Sequence, residues 1–170
     1  MKTDTFVLIA GGGPIGLSAA IELSWRGVPY ILVNDRPETA THPKCNNTNA
    51  RSMEHFRRLG IAKDLRAESL PADVERSSAY VTRYCGHELG RLPRPWVEWP
   101  TPELPATISQ IMLERALRRV AESRPGAEIH FGCKLESFRA EDDGVRAEVV
   151  NVASGERRTI RARYLIGADG

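Results

Sequence analysis

At 170 residues the chain is long enough to bury one sizeable core, and its 24 basic against 22 acidic residues leave a net charge of only +2. That balance excludes the strong field of a nucleic-acid or membrane-surface binder, so the arginines read as a solvated, mixed-sign surface. Cys45, Cys85 and Cys133 are far apart with no Cys-x-x-Cys, which points to a reducing, cytoplasmic setting, and no apolar run nears the ~20 residues of a membrane helix.

Phe6–Ala10 is a continuous apolar run, the pattern of a strand buried on both faces. Gly11-Gly12-Gly13-Pro14-Ile15-Gly16 follows at once and contains Gly-x-Gly-x-x-Gly. Gly11 allows a sharp turn out of the strand, Gly13 lets a pyrophosphate approach the backbone, and Gly16 lets the new helix lie close to the sheet. The N-terminus of that helix offers unpaired N–H groups to the phosphates. Gly27 suits a helix stop, Tyr30–Val33 is a second strand, and Asp35 stands where a carboxylate can accept from a ribose diol. These elements in register predict a Rossmann-like dinucleotide half-site. They leave NAD and FAD equally open.

Arg36 to Thr48 is polar, holds two prolines and predicts a long loop of the kind that often binds. Asn49 or Ser52 can cap the next helix, which carries Met53, Phe56 and Leu59 and stops at Gly60. Lys63–Ser69 suggests a short helix, Ser78–Tyr84 a strand, Gly86–Gly90 a turn, and Arg91-Leu92 a return strand. Pro93 to Pro105, with Trp96 and Trp99, predicts irregular chain. Residues 76–106 together read as an excursion from the Rossmann core.

A helix is expected from an N-cap at Ser109 to about Ser123, buried along Leu113, Leu117, Val120 and Ala121, with Pro125-Gly126 ending it. Glu128–Phe131 is a short strand. Lys134–Ala140 and Val145–Val152 flank Asp142-Asp143-Gly144, a hairpin signal, and Ser154-Gly155 leads to a third strand at Arg157–Ala162. Tyr164–Gly167 reads as a separate final strand before Ala168-Asp169-Gly170. The expected fold is therefore α/β: a parallel sheet with an inserted three-stranded antiparallel meander, which departs from the regular alternation of a plain NAD dehydrogenase.

In these segments the sequence resembles the FAD-dependent aromatic hydroxylases of the para-hydroxybenzoate hydroxylase type. Gly11–Gly16 with Asp35-Arg36 looks like the family's FAD fingerprint, although the family usually has glutamate where Asp35 stands. Asn49-Ala50-Arg51 resembles its Asn-x-Arg segment, which gives Arg51 a role facing the flavin pyrophosphate. Ile108 to Glu114 resembles the helix start whose glutamine, here Gln110, contacts the ribityl chain or phosphate. Tyr164–Gly170 looks like the start of an Asp-Gly motif tied to FAD and NAD(P)H binding, which brings in Asp169. The backbone near Leu135 is the expected adenine neighbour.

The resemblance covers essentially all 170 residues but only the family's N-terminal part. The family's second FAD segment and most of its substrate domain have no counterpart in this sequence. These residues alone are expected to bind FAD weakly or not at all and to lack hydroxylase activity, and residues 76–106 are expected to reach toward the substrate domain. The implied reaction is that of the parent: NAD(P)H reduces the flavin, O₂ gives a flavin peroxide, and one oxygen atom enters a small aromatic substrate. Another flavoprotein on the same scaffold, such as a reductase or halogenase, and a non-catalytic binding module are the alternatives. Oligomeric state is not readable.

No catalytic protein side chain is expected: no signature joins Ser or Cys to His, and Asp142-Asp143 is a turn pair. His42, His55, His87 and His130 lack ligand spacing, so no metal site is expected. A cofactor that carries the difficult chemistry suits that absence.

Overall fold

In the computed structural model, which describes residues 3–71, 74, 76–94 and 100–170, β1 (Thr5–Ala10) is the spine. It pairs in parallel with β2 (Tyr30–Asn34), and β2 pairs in parallel with β5 (Ala127–Phe131). On its other side β1 pairs in parallel with β8 (Arg157–Gly167), from Thr5 opposite Ala162 to Ala10 opposite Gly167. β7 (Gly144–Asn151) runs antiparallel to β8, and β6 (Cys133–Glu141) antiparallel to β7, so the sheet order is β5-β2-β1-β8-β7-β6.

β8 corrects one expectation. Arg157–Ala162 and Tyr164–Gly167 are not two strands but one. Its first half closes the antiparallel meander, its second half is a parallel partner of β1, and Ala162 pairs on both sides. The long strand lets β6 and β7 fold back over the parallel strands. Leu8, Ala10, Ile31 and Val33 from β1 and β2 share a buried cluster with Ala147, Val149, Ile160 and Ala162, and Cys133, Leu135 and Leu165 pack against it. Successive side chains in a strand point to opposite faces, so Val7, Ile9, Tyr30 and Leu32 belong to the other layer. There lie α1 (Pro14–Trp25) and α4 (Gln110–Ser123), which also pack on each other. Leu17, Ala20 and Ile21 of α1 and Leu117 and Ala121 of α4 are fully buried.

The hairpin at Asp142-Asp143 forms as expected, but its glycine serves another purpose. Neither aspartate has positive φ, so the turn is not the type that demands Gly at its second corner. Gly144 opens β7, where a Cβ would stand 2.4 Å from the Ala162 carbonyl oxygen of β8.

The chain divides into two compact units: residues up to Cys45 together with Gln110–Gly170, and Asn46–Ser109. In the second unit, α2 (Ala50–Arg58) is capped by Asn49 rather than Ser52, the Asn49 side chain accepting from the Ser52 N–H at 2.8 Å. α3 (Ala62–Ala67) follows, starting and ending a residue or two before expectation. Thr48 and Ala106 exchange backbone hydrogen bonds, and the Leu70 N–H donates to the Thr107 carbonyl, so the 100–107 segment is tied down. β3 (Arg76–Val81) and β4 (Glu88–Arg94) form a two-stranded antiparallel sheet. β4 begins at Glu88, inside the stretch expected to be turn, and includes Pro93. In a two-stranded sheet every strand is an edge, where proline is tolerated. Trp96 and Trp99 lie outside the described residues.

Candidate functional site

The end of β1 makes the first wall. Gly11 has φ +116°, and a Cβ there would meet the Ala168 carbonyl oxygen at 2.3 Å and the Asp169 nitrogen at 2.7 Å. The backbone of Asp169, at the far end of the sequence, therefore abuts the first residue of the glycine turn, held there by the Ala168 N–H donating to the Ala10 carbonyl at 2.7 Å. Gly16 is equally constrained: its Cβ would lie 1.9 Å from the Gly11 carbonyl oxygen. The close approach is thus between the helix and the turn itself.

Gly13 is different. It is the N-cap of α1 in an extended conformation, and a Cβ there would meet nothing within 4 Å. Pro14 occupies the first helical position, no side chain caps the helix, and no acidic residue stands in its first turn. The first N–H groups, around exposed Ile15, have no intrahelical acceptor and form the positive end of the helix dipole. Glycine therefore leaves open space where an anion would meet these donors.

Two residues that the sequence reading passed over hold this turn. The Asn34 side chain accepts from the Gly12 N–H at 2.8 Å and donates to the Arg36 carbonyl at 3.0 Å, joining the glycine turn to the end of β2. Gly12 is required too, since a Cβ would lie 2.9 Å from both the Asn34 Cβ and the Phe131 ring. Arg118 of α4 stacks its guanidinium 3.8 Å from the centre of that ring. A polar residue closing an otherwise apolar strand was the available signal for Asn34; nothing local marked Gly12.

Asp35 and Arg36 follow β2 directly and are exposed, and among the described residues neither side chain has a protein partner. Both are therefore available to a ligand. Beyond them, Pro37, Glu38, Thr39 and Thr41 face Arg115, Arg118, Arg119 and Glu122 of α4 across a cavity of about 440 Å³.

Gln110, expected as a cofactor contact, is engaged with this loop. Its N–H donates to the Cys45 carbonyl at 2.9 Å, which satisfies the start of α4, and its Oε1 accepts from the Lys44 N–H at 3.1 Å. Its Nε2 donates to Glu114 at 2.6 Å. The buried face of α4 corrects the periodicity reading: Glu114 is only 3% exposed, whereas Leu113 and Val120 are half-buried.

The Leu135 side chain packs on the core cluster, and the register shift between Leu135 and Ser137 makes a bulge at Glu136. A bulge leaves main-chain groups outside the ladder, so this backbone can meet a ligand. Arg51 belongs to the second unit. It sits in the first turn of α2, 73% exposed at its side chain, and pairs with Glu54 at 2.8 Å. Glu54 also accepts from Thr101 Oγ1, and the Arg51 hydrogen bond, then that from Thr101, hold its carboxyl below the ordinary value of 4.5. Among the described residues no group of His, Cys, Asp and Glu could hold a metal, and no helix is long and apolar enough to cross a membrane.

The structure thus brings Gly11, Gly13, Pro14, Ile15, Gly16 and Asp169 to one turn and ties Asp35-Arg36 to it through Asn34. The open space at Gly13, the uncapped helix and the unengaged Asp35 fit a dinucleotide diphosphate and its ribose.

Residues 4–170 match the FAD binding domain family. The chain is 37% identical to phenol 2-monooxygenase of Pseudomonas sp. (strain EST1001), covering 98% of this chain and 29% of that protein. It is 36% identical to aklavinone 12-hydroxylase DnrF of Streptomyces peucetius, covering 99% and 36%. Among solved structures, the flavin-dependent monooxygenase PieE in complex with FAD and substrate superposes with a TM-score of 0.89 at 32% identity, over 99% of this chain and 31% of that one. A ternary complex of aklavinone-11 hydroxylase with FAD and aklavinone gives 0.88 at 32% identity, over 100% and 34%. The chain therefore spans about a third of the length of the relatives it matches.

Proposed function

The chain belongs to the FAD binding domain family, and on that premise we propose that it is the N-terminal part of an FAD- and NAD(P)H-dependent monooxygenase that hydroxylates a small aromatic, phenolic substrate. The observation that carries the cofactor assignment is the uncapped N-terminus of α1 opening onto empty space at Gly13. The substrate class rests on the relative named phenol 2-monooxygenase.

In this reading the backbone of Gly11–Gly16 receives the diphosphate, and Asp35 accepts from the adenosine ribose with Arg36 beside it. The bulged backbone near Leu135 borders the adenine. Arg51 neutralises pyrophosphate charge, Gln110 bonds the ribityl or phosphate oxygens, and Asp169 completes the turn. Residues 76–106 extend toward the substrate domain. FAD, when bound, supplies the chemistry: electrons from NAD(P)H activate O₂ and one oxygen atom passes to the ring. The protein's part is to hold, orient and shield. A cytoplasmic setting belongs to the same reading, on the wide spacing of Cys45, Cys85 and Cys133 in the sequence.

The test is made on the full-length polypeptide. It should purify yellow or be reconstituted with FAD, oxidise NAD(P)H faster when a phenol is added, and place ¹⁸O from O₂ in the product. A protein that takes up no FAD refutes the cofactor assignment. A flavoprotein whose product carries no ¹⁸O is a different oxidoreductase on the same scaffold.

A further inference from the structure

Glu114 is a buried carboxylate with no part in the site as assigned so far. Only 3% of it is exposed, on a helix face otherwise formed by Ala116, Leu117 and Ala121. A charge in that position must be compensated by hydrogen bonds. Both its oxygens are bonded: Oε2 accepts from the Ala40 N–H at 2.8 Å, and Oε1 from Gln110 Nε2 at 2.6 Å. Gln110 Oε1 in turn accepts from the Lys44 N–H at 3.1 Å, and the Gln110 N–H donates to the Cys45 carbonyl. The loop that leaves Asp35 is thus held to the start of α4 at Ala40 and again at Lys44 and Cys45.

The chemistry of the pair fixes a direction. A carboxylate only accepts, while a carboxamide can present either end. Because Glu114 accepts, Gln110 must turn Nε2 toward it and Oε1 toward the Lys44 N–H. The remaining hydrogen on Nε2 is then the donor the amide has left for a ligand oxygen. We propose that Glu114 is a positioning residue for the cofactor: it sets the polarity of the Gln110 carboxamide, so that a phosphate or ribityl oxygen meets a donor, and it pins the Ala40–Cys45 loop in place. This rests on the FAD reading above.

The experiment compares the full-length protein with Glu114→Gln and with the exchange Gln110→Glu/Glu114→Gln, with folding checked by circular dichroism. Kd for FAD is measured by flavin fluorescence, and amide exchange is followed at Ala40 and Lys44. Glu114→Gln removes the constraint on polarity and the charge-assisted bonds. It should weaken FAD about tenfold and speed exchange at both amides. The exchange variant can remake every bond with polarity reversed: Lys44 and the introduced carboxamide donate to the introduced carboxylate, and Ala40 donates to the carboxamide oxygen. It should restore slow exchange while FAD stays weak, because position 110 no longer has a donor.

Recovery of both slow exchange and FAD affinity would show that the pair only fastens the loop, and would overturn the proposal. So would a folded Glu114→Gln protein with wild-type FAD affinity. A wild-type protein that binds no FAD refutes the cofactor assignment instead.

Discussion

The glycine turn gives a sharp test, because neighbouring glycines are required for different reasons. At Gly16 an added methyl would lie 1.9 Å from the Gly11 carbonyl oxygen, where ordinary contact starts at 3.4 Å, so helix or turn must yield by about 1.5 Å. Overpacking of this kind costs about 1–3 kcal/mol, which is read as a lowered Tm. At Gly13 the protein leaves the space free, and φ −78° with ψ −173° suits any residue. Gly13→Val should therefore cost about 1 kcal/mol or less, as a poorer N-cap, yet its branched side chain fills the anion's approach. Losing roughly two hydrogen bonds to charged phosphate oxygens, at about 1.5–3 kcal/mol each, weakens FAD at least a hundredfold. Thermal unfolding and FAD titration of Gly13→Val and Gly16→Ala in the full-length polypeptide read the two effects separately. A folded Gly13→Val protein with unchanged FAD affinity, or one less stable than Gly16→Ala, refutes the assignment of these roles.

Asn34→Ala should cost about 1–3 kcal/mol by stranding the part-buried Gly12 N–H and should weaken FAD as well; urea unfolding beside a cofactor titration measures both. Glu54→Gln should flatten the acid limb of stability. The Glu54 carboxyl is depressed by Arg51 and then by Thr101, so its contribution is present above the ordinary value of 4.5 and is lost as pH falls through the lower folded value. Tm curves of the two proteins taken from pH 7 downward should therefore converge in acid, and parallel curves would exclude this linkage. Tyr30 acts at the other extreme: burial raises its phenol above 10.0, outweighing the Ser24 hydrogen bond. That contribution is full below pH 10.0 and is lost as pH rises through the folded value, so Tyr30→Phe should reduce the alkaline loss of stability in a pH-dependent melt.

Much of the site's frame is local physics and could be read directly from the residues. The apolar run Phe6–Ala10, the glycine turn, the helix and the strand Tyr30–Val33 are each specified by near neighbours. The Asn49 cap and the Asp142-Asp143 turn are likewise short-range chemistry. What the chain does over distance was decided by tertiary structure. The polar run Arg157–Ala162 and the apolar run Tyr164–Gly167 look like separate strands, yet they are one: the first run pairs with β7, the second lies beside β1, and Ala162 at the junction pairs with both.

Gly12 looks like spare freedom in a glycine-rich turn until Asn34 and Phe131 arrive from other strands to occupy the space a Cβ would need. The apolar spacing of α4 places its buried face on Leu113, Leu117, Val120 and Ala121 and leaves out Glu114, which is buried. Its burial is permitted only because the Ala40 N–H, far away in sequence, and Gln110 satisfy the carboxylate. A pattern of residues fixes which way an element turns its faces when the surroundings are apolar. When a buried polar group depends on a partner elsewhere in the chain, only the folded structure brings that partner to it.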